Sequence, residues 1–284
     1  LLKPFLKGAD DVAKWRIEGG EQWLIYIPKG KLSINDFPAV KAHLLPFKDK
    51  LEQRATQQAW FELQQPQEAY ISDFNGGKLV FPEMSQGPKF ALDETGFFLL
   101  NKLFYVPKID WFLLGLMNSK SVWAFLFGIC SPLRGGEWRL ELRSQHVETV
   151  PIPDASPETR SRLASLAESA QRAAEERRNL IRAFGCRILT DLAPGGPSAK
   201  LTTKLAGWPA LDFKTFHDEI KKQFKTPIPL DERDAWQARF EKDQERVAEL
   251  SAKIAQCEKA IDAEVYRLFD LTPEEIGLLE ASLK

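Results

Sequence analysis

Leu133-Arg134-Gly135-Gly136-Glu137-Trp138-Arg139-Leu140-Glu141-Leu142-Arg143 carries the residues best suited to touching a polyanion. Arg134, Arg139 and Arg143 surround a Gly135-Gly136 turn, and the chain runs on through Gln145 to Val150-Pro151-Ile152-Pro153. Paired glycines let a backbone take positive φ and approach another surface closely. Guanidinium forks fit phosphate oxygens and the O6/N7 edge of guanine, and an amide such as Gln145 fits adenine. The same pattern also occurs as an ordinary solvated hairpin, so its setting in the chain has to decide.

Other chemistries find less support. Gly19-Gly20, Gly76-Gly77 and Gly195-Gly196 are isolated pairs without the strand–turn–helix context of a nucleotide cradle. His43, His146 and His217 have no serine or cysteine neighbourhood that suggests a triad. Cys130, Cys186 and Cys257 are scattered and odd in number, which argues against a disulfide scaffold or zinc site and for a reduced, cytoplasmic setting. Glu83, Asp93 and Glu94 are the nearest approach to a magnesium-dependent nuclease, but they lack a further acid and a lysine at strand spacing. A cofactor loop and the polar-Pro-Pro-aromatic motif of base methylation are both missing. The chain therefore reads as non-catalytic, with no catalytic or metal-binding residue of its own. Lys7 before Gly8, Arg54, Lys89 after Gly87-Pro88, and Lys120 join the arginines as candidate DNA contacts.

At 284 residues, two structural units are expected. A net charge of −1 excludes a uniformly basic, histone-like binder but leaves room for a local basic face. The most apolar stretch, residues 111–129, is interrupted by Asn118-Ser119-Lys120 and falls short of the roughly 20 apolar residues of a membrane span. The start at Leu1, without an initiator Met or signal peptide, is read as that of a fragment of a longer protein.

The elements that must position these residues change character at Pro151-Ile152-Pro153. Residues 1–153 read as an α+β unit. Residues 23–27, 78–81, 97–100 and 103–106 are strand-like, and residues 37–54 and 110–127 have helical spacing. Residues 154–284 read as helical. Ser156 with Pro157 behind it signals a helix start, followed by a stripe from Leu163 to Ile188. A matching stripe runs from Trp236 to Leu268, and together they predict a long antiparallel, coiled-coil-like helical hairpin. Residues 193–230 form an inserted loop, which contains a short helix around Leu211–Phe224 with exposed lysines.

Several motifs, taken in order, resemble the C-terminal specificity region of TaqI-like adenine methyltransferases and of single-chain Type IIG restriction-modification enzymes. They are Leu2-Lys3-Pro4-Phe5-Leu6-Lys7-Gly8; Trp23-Leu24-Ile25; Phe37-Pro38-Ala39-Val40 leading to Leu51-Glu52-Gln53-Arg54; and Trp60-Phe61-Glu62-Leu63. Lys78–Ser85 with Pro88-Lys89-Phe90, Leu113–Lys120, Leu133-Arg134-Gly135-Gly136 and Val150-Pro151-Ile152-Pro153 complete the first unit. In the helical part, Leu211-Asp212-Phe213 through Trp236, and Ile261–Tyr266 through Leu271–Ile276, are similar to the tail of Type IIG enzymes. One departure is Ala13-Lys14-Trp15-Arg16, where the family has a tyrosine and Trp15 would fill the same apolar slot.

The resemblance implies a target recognition domain that grips duplex DNA, reads bases in the major groove and holds the DNA while an adenine is flipped. A methyltransferase or nuclease domain of the same parent chain would do the chemistry, with S-adenosylmethionine and magnesium; no cofactor is expected on these residues. Two rivals remain. One is a protein-interaction module that self-associates through the Leu163 and Leu250 stripes. The other is an enzyme with a metal site built from Glu83, Asp93 and Glu94.

Overall fold

The computed structural model describes residues 1–133, 138–194, 196 and 200–283. The chain is mixed α/β, with several small sheets and one long helical pair. It divides into two compact units, Leu1–Asp110 with Val122–Ile152, and Trp111–Ser121 with Pro153–Lys284. The split near residue 152 follows the change in sequence character, but Trp111–Ser121 belongs with the helical unit. The packing explains why: a Cβ added to Gly115 would lie 3.2 Å from Leu163 and 3.3 Å from Ala167, so this short helix is pressed against the start of the long one.

The first unit begins with β1 (Leu2–Leu6), β2 (Val12–Ala13), β3 (Arg16–Ile17) and β4 (Gln22–Ile25). The predicted helix over 37–54 is divided into α1 (Pro38–Leu44), a 3-10 turn at Leu45–Phe47 and α2 (Lys48–Glu52). Pro46 sits at the break, where it lacks an N–H and its ring crowds the preceding turn. After α3 (Ile71–Asn75) come β5 (Lys78–Pro82), β6 (Met84–Ser85), β7 (Ala91–Asp93), β8 (Phe98–Leu99) and β9 (Leu103–Val106).

β1 lies between antiparallel β4 and parallel β8, while β5 is flanked by antiparallel β7 and β9. Leu79, Val80, Ala91 and Phe81 are essentially unexposed, so β5 is the unit's central strand. Trp15 is also buried, and its amide donates to the Phe90 carbonyl.

The apolar run after Asp110 forms two helices, α4 (Trp111–Met117) and α5 (Lys120–Ile129). At the break the Ser119 hydroxyl donates to the Leu116 carbonyl, and the Lys120 amide donates to the Asp262 carboxylate at 2.9 Å. A serine that satisfies its own preceding turn competes with helix continuation, and a carboxylate at the new N-terminus favours a restart. β10 (Pro132–Leu133), β11 (Arg139–Glu141) and α6 (Ser144–Val147) complete the first unit.

In the second unit, α7 (Pro157–Leu192) and α10 (Arg233–Leu268) pack lengthwise. Ser156 caps α7 through the Thr159 amide, with Pro157 at the first helical position. Arg162 pairs with Glu264, Glu176 with Arg246 and Arg177 with Ser251, so numbers rise along one helix as they fall along the other: the pair is antiparallel. Leu163 and Leu250 are buried within this pair, which removes the apolar stripes that the self-association rival needed.

The insertion forms α8 (Thr203–Ala206) and α9 (Phe213–Phe224), followed after α10 by α11 (Pro273–Ser282). Phe216, Ile220 and Phe224 of α9 close an aromatic cluster with Phe184, Trp208, Trp236 and Phe240. No single helix is long and apolar enough to cross a membrane among the described residues.

Candidate nucleic-acid interface

β11 is the strand that presents the arginine segment. It pairs antiparallel with β10 on one side and β6 on the other, with Leu140 opposite both Pro132 and Ser85. Side chains alternate across a strand, so burying Leu140 turns Arg139 and Glu141 to the opposite face. Arg134, Gly135 and Gly136, the residues between β10 and β11 named as contacts, lie outside the described residues.

Arg139 lines an open cleft of about 660 Å³ together with Lys7, Gly8, Gln22, Glu83 and Lys102. Three cations far apart in sequence are thus gathered in one place. Lys7 is carried at the end of β1 by a turn that the Asp11 carboxylate ties down, accepting from the Lys7 and Gly8 amides at 2.5 and 3.1 Å. Lys102 sits in the β8–β9 turn, where its carbonyl accepts from the Glu83 amide at 3.0 Å. Lys7, Lys102 and Arg139 are all exposed. Asp10 and Asp11 also line the cleft, so it is mixed in sign rather than uniformly basic.

Lys102 escaped the sequence reading because Asn101-Lys102 looks like a simple polar break. Only the pairing of β1 with β8, and the Glu83–Lys102 backbone bond, bring it beside Lys7 and Arg139. The aromatic partner of Trp138 was missed as well. Phe127 stacks against it with ring centroids 5.0 Å apart, and both rings remain about two-fifths exposed.

The other candidates separate. Arg143 precedes α6 and is exposed, with an ion pair to Glu141 at 2.9 Å; that carboxylate holds its guanidinium above the ordinary arginine range. Gln145 is exposed, with Nε2 3.4 Å from His146 Nε2. Lys89 is half-buried and does not line the cleft.

Arg54 does not present a free fork. Its Nε donates to Leu51, its Nη1 to Glu62, and its Nη2 to Ala59 and Trp60, so backbone carbonyls occupy four of its N–H groups. It staples the loop after α2, where the buried Glu62 carboxylate also accepts from the Gly30 and Ala59 amides. Lys120 is likewise engaged, in the second unit, with Nζ 2.7 Å from Glu280 and 3.7 Å from Asp262. The hydrogen bond to Glu280 holds it above the ordinary lysine range.

The metal-site rival loses its central member. Asp93 is buried against Lys78 at 2.7 Å and also accepts from the amides of Thr95, Gly96 and Phe97. Among the described residues, no group of three or more His, Cys, Asp or Glu side chains is arranged to hold a metal ion.

Residues 156–265 match a family model described as a domain of unknown function, DUF8810. No curated protein matches the chain. The match runs from the α7 cap through the insertion and most of α10, so it covers the helical pair with its aromatic insertion and leaves the cleft outside.

Proposed function

We propose that this chain is the sequence-recognition part of a Type IIG restriction-modification enzyme or a related adenine-specific DNA methyltransferase. It holds duplex DNA for a catalytic domain elsewhere in the same protein, to which S-adenosylmethionine and magnesium belong. The observation that carries this reading is the meeting of Lys7, Lys102 and Arg139 in one open cleft, below the arginine segment. Lysines and arginines at such a place supply phosphate affinity that falls with salt. Glu83 and Asp10 in the same cleft suit reading as well as gripping, because a carboxylate accepts from the exocyclic amine of cytosine and repels bare phosphate. The ordered resemblance across the first unit supports the same assignment.

The test is a fluorescence-anisotropy titration of labelled duplex DNA at low salt. The combined variant Lys7→Ala, Lys102→Ala, Arg139→Ala is expected to bind at least tenfold more weakly while keeping its circular dichroism, the loss of a few charge-assisted contacts. Unchanged affinity overturns the reading.

A further inference from the structure

We propose that the first unit contains a second ligand site, a slot for an unstacked purine-type base. It is a concavity of about 340 Å³, walled by Phe5, Tyr26, Phe74 and Phe98 and rimmed by residues 64–67. Its volume sits at the low end for small-molecule sites, which suits a single ring system rather than a dinucleotide.

The walls are already an aromatic cluster. Phe98 lies 5.3 Å from Tyr26 and 5.2 Å from Phe74, ring centroid to ring centroid. They offer apolar ring surface to a flat guest, the contact that makes base stacking on protein aromatics tolerant of sequence. Amides stand at the mouth, from Gln64, Gln65, Gln67 and Asn101. A primary amide both donates and accepts, matching the mixed N6/N7 edge of a purine. No described residue that lines the slot carries a charge, so the part it recognises is neutral: the base, with any phosphate left outside.

The rim is strained. Gln65 and Gln67 have φ of 51° and 50°, a left-handed conformation that side chains with a Cβ rarely adopt, on either side of Pro66. The loop is held there from several directions. The Leu63 amide donates to Ile27, the Tyr70 amide donates to Gln67, and the Tyr26 hydroxyl donates to the Pro66 carbonyl at 3.2 Å. Strained residues fixed by their surroundings gather at ligand clamps. Here two glutamines adopt that conformation at the mouth of an aromatic slot.

The base could arrive in a nucleic-acid strand or as a free nucleoside, and 2-aminopurine separates the two. The full chain is titrated into 2-aminopurine deoxyriboside and into a single-stranded oligonucleotide with one 2-aminopurine. Ring contact is expected to quench both. A much tighter oligonucleotide assigns the site to a strand, and equal affinities assign it to the free nucleoside.

Gln65→Gly removes one amide and relieves its backbone. It is expected to weaken binding roughly three- to tenfold, the loss of one hydrogen bond, without lowering the thermal midpoint. Absence of quenching by both probes up to about millimolar, the affinity range of base-sized fragments, overturns the proposal. So does quenching that Gln65→Gly and Gln67→Gly both leave unchanged. The nucleoside arm needs no duplex, so this site and the duplex-binding cleft succeed or fail separately.

Discussion

Lys78 and Asp93 form an ion pair at 2.7 Å in which neither side chain meets solvent. Lys78 Nζ also donates to the carbonyls of Phe74 and Gly76, while Asp93 holds three amides of the following turn. That turn contains Gly96 at φ +89°, where an added Cβ would meet the Asn75 carbonyl at 3.0 Å. The pair therefore joins β5 to β7 and fixes the backbone leading into β8. Removing one member of a buried pair leaves the other uncompensated, at a cost of about 3–5 kcal/mol. Asp93→Ala is expected to reach that range. Lys78→Met is expected to cost less, because three amides still satisfy Asp93. Urea unfolding of both variants checks the order, and equal losses would mean that the turn amides contribute nothing.

Much of the architecture is legible in local pattern. Ser156-Pro157 starts α7, and the stripes through Leu163 and Leu250 give the helical pair, because caps and apolar periodicity are properties of neighbouring residues. What failed was long-range. The run from residue 110 looks continuous, yet α5 restarts against Asp262, which lies 142 residues further on. Lys120 looks like a free cation until Glu280 and Asp262 are placed beside it. Lys102 gains meaning only from the strand order that carries it to Lys7 and Arg139. The spacing of residues 59–62 gives no sign that their carbonyls point at Arg54.

The cleft makes a prediction about salt. Each phosphate neutralised on duplex DNA contributes about −0.9 to the slope of log affinity against log salt. If Lys7, Lys102 and Arg139 all touch phosphate, substituting one by alanine should flatten the slope by about that amount. Arg139→Ala may be compared with Lys89→Ala, since Lys89 lies outside the cleft lining and should leave the slope as it was. Anisotropy titrations over a salt series measure both. Equal slopes in the parent and Arg139→Ala would place that guanidinium away from phosphate.

Arg54 is expected to matter for stability and not for DNA. Its fork bridges the carbonyls of Leu51, Ala59, Trp60 and Glu62. A lysine, with one nitrogen on a flexible stem, cannot span them. Arg54→Lys should therefore lose roughly 1–3 kcal/mol, as partly buried acceptors go unsatisfied. Denaturant unfolding paired with a DNA titration decides the matter: weaker DNA binding at unchanged stability would restore Arg54 to the interface.

Alkaline pH should find Tyr105. Burial raises its pKa above the ordinary tyrosine value, and the hydrogen bond to Asp73 at 2.9 Å raises it further. A group whose pKa is higher folded than unfolded stabilises fully below the unfolded value. For tyrosine that value is about 10, and the contribution disappears as pH climbs through the folded value. Lys78, lowered by burial, acts in the opposite sense, so the comparison needs a variant. Unfolding free energy should fall less steeply above pH ~10 in Tyr105→Phe than in the parent. Parallel curves would show that the hydroxyl makes no differential contribution.

The aromatic insertion supplies the last prediction. Phe184 and Trp208 stack with centroids 4.1 Å apart, both essentially unexposed, and the indole N–H donates to the Ile181 carbonyl at 3.3 Å. Around them Phe216, Trp236 and Phe240 close the same cluster, so Trp208 joins the insertion to both long helices. Trp208→Ala should cost about 3–5 kcal/mol, the loss of a large buried ring plus the cavity it leaves. The loss should be local at first. α7 and α10 keep Leu163, Ile254 and Ile261 buried along the rest of their length, whereas α8 and α9 have little other core. Near-ultraviolet dichroism should collapse and proteolysis should begin between residues 200 and 230, with far-ultraviolet helicity mostly retained. Simultaneous loss of both signals would mean that the insertion and the helical pair fold as one cooperative element.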